Sequence, residues 1–127
     1  MFLSVAWEIP FALAGEDVCA QYPSPELCLA ELKEEFSHYA SEVDVWWLHL
    51  RDALGKKEAL RVQAARKAWL KALRKKCGLA GSGVPDNEKA LYCMTKGMYD
   101  CLRKLRDAVF RLENGESTRN WPPCASP

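Results

Sequence analysis

Six cysteines in a chain of 127 residues constrain this sequence more than any other feature. Cys19, Cys28, Cys77, Cys93, Cys101 and Cys124 include no C-x-x-C pair, and the only histidines are His38 and His49. Zinc sites draw their ligands as close pairs from turns, a spacing this set lacks, so no metal is expected. An even number of cysteines in a small domain reads instead as a disulfide framework, and so as an oxidising compartment. Sequence alone does not choose among the ways of pairing six cysteines. Local closure favours Cys19 with Cys28, Cys77 with Cys93, and Cys101 with Cys124. Each bridge would contribute about 2–4 kcal/mol by restricting the unfolded chain.

The length suits one domain. The chain is 49% hydrophobic and 28% charged, a globular balance rather than a disordered one, and its formal net charge of +1 gives no whole-molecule field for polyanions. No apolar run reaches the roughly 18 residues of a membrane helix. Residues 1–14 are mostly apolar and end Ala12-Leu13-Ala14, the small-x-small pattern of a signal-peptide cleavage site. They lack a basic start, and Glu8 and Pro10 interrupt them, so the segment reads either as a degenerate or truncated signal segment or as an apolar arm packed on the domain, ahead of one helical domain over 15–127.

Three helical patterns fill that domain. Ser24-Pro25-Glu26 supplies an N-cap, a proline at the first helical position and an acid in the first turn. Cys28, Leu32, Phe36, Tyr39, Val43, Trp46 or Trp47, Leu50 and Leu54 then recur at steps of three and four until Gly55, predicting a helix over about 25–54. A second helix, about 57–77, carries Val62, Ala65, Trp69, Ala72 or Leu73 and Cys77 on one side, with Gly78 as its left-handed cap. After the glycine-rich link 78–85, Asp86 or Asn87 caps a third helix, about 87–113. Its stripe is Leu91, Met94, Met98, Cys101 or Leu102, Leu105, Val109 and Leu112. Three amphipathic helices on short links bury these stripes as an all-α, antiparallel, disulfide-stapled bundle, with Cys124 pinning the polar tail.

The segment Ala64-Ala65-Arg66-Lys67-Ala68-Trp69-Leu70, followed by Cys77, resembles the "AQRAWL…C" core of the LprI-like lysozyme-inhibitor family. Cys93 and Leu105 fall where that pattern continues, and Cys19 and Cys28 match two cysteines ahead of its first long helix. Arg66-Lys67 replace the usual Gln-Arg, Leu73 replaces an Arg, and Cys101 occupies a late Arg position. The resemblance implies an exported, all-helical, disulfide-stapled bacterial domain, some relatives of which inhibit lysozymes.

No catalytic constellation stands out. His38 has Glu34 and Glu42 four residues to either side, and His49 has Asp52 three residues on, both patterns of a solvated helix face. Glu34 and Glu35 point apart on a helix. Bridged cysteines leave no thiolate. With no enzyme activity, cofactor or nucleic-acid motif indicated, the charge pattern and the tryptophans suggest binding. The second helix carries Lys67, Lys71 and Arg74 among many cations, while the first is rich in Glu. Trp46 and Trp47 lie about 100° apart on a helix, so one belongs to the core and the other is partly exposed.

The expected function is therefore that of a periplasmic or secreted protein that docks on a partner protein, such as a lysozyme, another wall-active enzyme or a toxin. The candidate contacts are Trp47, Gly81, Ser82, Gly83, Lys67, Lys71 and Arg74, with Trp69 structural. The alternatives are an envelope domain whose basic second helix rests on anionic lipid or wall polymer, and an immunity protein against a delivered toxin.

Overall fold

The protein is described by a computed structural model over residues 18–79, 83–118 and 121–125. The signal-like segment 1–14, Gly81 and Ser82 lie outside the described residues. A 3-10 turn, Val18–Gln21, precedes helix α1 (Pro25–Leu54), a second 3-10 turn, Lys56–Glu58, leads into α2 (Ala59–Lys76), and α3 (Glu88–Glu113) follows.

Local chemistry sets the ends of these helices. Ser24 accepts a hydrogen bond from the Leu27 N–H at 3.1 Å, and Asn87 accepts one from the Ala90 N–H at 2.9 Å, each satisfying an orphan donor of the first turn. Asn87, rather than Asp86, is thus the cap of α3. Gly78, at φ 76°, ends α2 in the left-handed region that a side chain disfavours. The Leu79 N–H then bonds back to the Arg74 carbonyl at 2.8 Å, using one of the helix's terminal acceptors.

Consecutive helices are antiparallel, so α1 and α3 run in the same direction. Leu91, early in α3, packs with Cys28 and Leu32, early in α1, in a small cluster that also takes in Tyr22 and Phe36. The larger core joins Val43, Trp47 and Leu50 of α1 to Val62, Trp69 and Leu73 of α2, and to Met94, Met98 and Leu105 of α3. The Trp47 and Trp69 rings lie 6.1 Å apart across the α1–α2 contact. Where α2 meets α3, Gly97 makes room: a methyl group there would overlap Cδ1 of Leu73 and approach its Cδ2 to 2.9 Å. Met94 and Met98 fill this core, as Met commonly does.

All six cysteines are bonded, as Cys19–Cys28, Cys77–Cys93 and Cys101–Cys124. The first clips the initial 3-10 turn onto α1. The second ties the end of α2 to the start of α3, fixing their antiparallel hairpin. The third folds the tail back along α3, where Trp121 packs against the main core and the Arg61 guanidinium stacks 4.2 Å from its ring centre.

Candidate docking surface

Trp47, expected as a contact, is 2% exposed and lies in the core, so its side chain is not available at the surface; Trp46 is the half-buried member of the pair. The choice follows from helix geometry. Trp47 shares a side of α1 with Val43, Leu50 and Leu54, whereas Trp46 falls about 100° away toward α3. Trp69 is buried, in keeping with a structural role.

Trp46 belongs to a row of aromatics along the seam where α1 and α3 meet. Tyr39 of α1 packs edge-on against Tyr99 of α3 with ring centres 5.5 Å apart. His38 packs edge-on against Tyr39 at 5.1 Å, and His49 against Trp46 at 4.8 Å. The Arg106 guanidinium lies 5.7 Å from the Trp46 ring centre. One turn further along α3, Phe110 is 55% exposed, a large apolar surface left to solvent. Tyr39 and Trp46 are seven residues apart in the chain, as are Tyr99 and Arg106. Two turns of helix therefore bring each pair to the same lip of the seam. That seven-residue spacing was the available signal for Tyr39, Tyr99 and Arg106; Phe110 follows Arg106 by four residues.

The seam faces away from α2. Asp44 of α1, which pairs with Arg66 of α2 at 2.7 Å, lies about 200° around the helix from Trp46. This ion pair joins the acidic first helix to the basic second one, but Asp44 is exposed and Arg66 only half-buried, so it contributes at most about 1 kcal/mol.

Of the other expected contacts, Lys67 and Lys71 stand exposed on the outer side of α2. Arg74 donates to the carbonyl of Gly83 at 2.6 Å, joining the end of α2 to the following loop. Neither group adjoins the aromatic seam. The expected contacts thus fall on separate surfaces.

One carboxyl among the described residues is buried within the bundle. Glu35, on α1, is 5% exposed, and its Oε2 has no hydrogen-bond partner among the described residues. The register that sets Tyr39 beside Tyr99 places Glu35 level with Thr95, whose buried hydroxyl likewise has no partner there. Burial, and then the neighbouring Glu31, push the Glu35 carboxyl up to about 8, so it is predominantly neutral at pH 7. Glu31 itself accepts a hydrogen bond from the Tyr22 hydroxyl at 3.2 Å. Burial and the nearby carboxylates raise the Tyr22 phenol in turn. Among the described residues, no group of three or more Cys, His, Asp or Glu is placed to hold a metal ion, and no helix is long and apolar enough to cross a membrane.

Compared with known protein families, with curated proteins and with solved structures, the chain matches none.

Proposed function

We propose that this is an exported protein that works by docking on a partner protein through the α1–α3 seam, and that it does so as an inhibitor of a lysozyme or a related wall-active enzyme. The observation that carries this reading is the row Tyr39, Trp46, Tyr99 and Phe110, with Arg106 stacked on Trp46. Aromatic and arginine side chains held in place before binding contribute most to protein interfaces, because they bury large areas at little cost in side-chain freedom. Three disulfides support export, since such bridges persist in oxidising compartments, and the periplasm or the exterior fits them. The likeness of Ala64–Leu70 and Cys77 to the lysozyme-inhibitor core supports the partner class. Lysozymes are cationic, and the exposed Glu34 and half-buried Glu42 flank His38 beside the seam, offering complementary charge.

The test is titration of the oxidised protein against lysozyme in a cell-wall clearing assay, with binding followed by calorimetry. The wild type is expected to inhibit. Trp46→Ala combined with Tyr99→Ala should weaken binding by about thirtyfold or more, the loss expected of hot-spot truncation, while the protein stays folded. Absence of binding by the wild type would remove the lysozyme assignment. Binding that survives the double substitution would remove the seam.

A further inference from the structure

We propose that the outer side of α2 is a second interaction surface that lies on an anionic lipid bilayer, leaving the α1–α3 seam directed away from it. Apart from the exposed Lys76 at its last position, the structure separates the cations of this helix into two sets. Arg61 pairs with Glu58 at 2.9 Å and stacks on Trp121, Arg66 pairs with Asp44 at 2.7 Å, and Arg74 bonds the Gly83 carbonyl at 2.6 Å. These three brace the fold. Lys67, Lys71 and Lys75 form the other set: all are exposed, and no carboxylate among the described residues lies within ion-pair distance of them. Spacing of four residues stacks them on one side of α2, opposite the buried Val62, Ala65, Trp69 and Leu73.

The shape of this ridge selects the occupant. Ala64 and Ala68 are exposed between the charges, so nothing bulky rises above the lysines, and Leu60, at the start of the helix, is 81% exposed. A flat cationic strip with one protruding apolar side chain matches a plane of anionic headgroups over acyl chains. The strip has no aromatic side chain on which bases or sugars could stack, and it is convex, so it offers no groove to track a polymer. Because α2 is packed on the side of the bundle opposite the seam, contact through this strip leaves Trp46 and Tyr99 outward. A protein of net charge +1 would gain the attraction only through this local arrangement.

Each lysine near an anionic leaflet raises partitioning roughly fivefold, so three together give about a hundredfold. The experiment is sedimentation of the oxidised full chain with phosphatidylcholine vesicles, with and without phosphatidylglycerol. Binding is expected only with the anionic lipid. It should fade as salt rises from about 0.1 M to about 1 M and the Debye length falls from about 10 Å to about 3 Å. Lys67→Glu/Lys71→Glu/Lys75→Glu should lower partitioning at least a hundredfold. Lys89→Glu/Arg103→Glu/Lys104→Glu, the same charge change on exposed positions of α3, should change it less than tenfold. The seam variant Trp46→Ala/Tyr99→Ala should bind vesicles as the wild type does, which keeps this test separate from that of the docking reading. Failure to bind anionic vesicles at low salt, equal losses in the two charge-reversed variants, or capture by soluble polyphosphate without vesicle binding would each overturn the assignment.

Discussion

Replacing Glu35 with glutamine should remove a pH dependence that is written into the core. In the folded protein this carboxyl holds its proton up to about pH 8, against an ordinary value of 4.5. The folded value is raised, so the native state favours the protonated form. Below about pH 4.5 both states are protonated, and the contribution is constant. Between there and about pH 8 the unfolded chain has released a proton that the native state keeps, so each pH unit costs about 1.4 kcal/mol of stability. From pH 5 to pH 7 the wild type should lose about 2–3 kcal/mol through this one group. The Glu35→Gln variant cannot titrate there and should lose correspondingly less. Guanidinium unfolding of the oxidised proteins at both pH values gives the double difference, which cancels whatever fixed cost the amide carries. Parallel pH profiles, agreeing within about 0.5 kcal/mol, would refute the reasoning. They would mean that Glu35 reaches water or finds a partner in solution.

Two other substitutions test the packing and the staples. Gly97→Ala should cost about 1–3 kcal/mol, because the added methyl overlaps Leu73, which is buried and has little room to shift; Leu73→Val in the same chain should recover part of the loss in thermal unfolding. Cys101→Ala with Cys124→Ala opens a bridge closing 23 residues, for which chain entropy alone gives about 3 kcal/mol, to be read as a shift in the denaturant midpoint.

Much of this architecture is legible in the sequence because it is local. Ser24 and Asn87 cap the helices through bonds to residues three positions on, and the apolar stripes need only the 3.6-residue period. The three bridges also follow local closure, since each joins neighbouring stretches of chain. What was not legible depends on which helix covers which flank. Trp46 and Trp47 are equivalent candidates until α2 and α3 take their places around α1. Glu35 lies off the apolar stripe, and only the packing of α3 and the Tyr22 segment encloses it. The seam could not be told from the core pattern, because Tyr39 and Trp46 fall on the apolar stripe of the first helix while Tyr99, Arg106 and Phe110 fall off that of the third.

The placement of the bridges has a consequence for survival among proteases. A cut between Leu79 and Asn87 would leave both halves joined through Cys77–Cys93, and a cut between Asn114 and Pro123 would leave the tail attached through Cys101–Cys124. The turn at Tyr22–Ser24 is spanned in the same way by Cys19–Cys28. The exception is Gly55–Glu58, where the exposed Lys56 and Lys57 offer a trypsin-like enzyme its preferred bond with no sulfur link across it. A nicked molecule would therefore come apart, if at all, between its first helix and the rest.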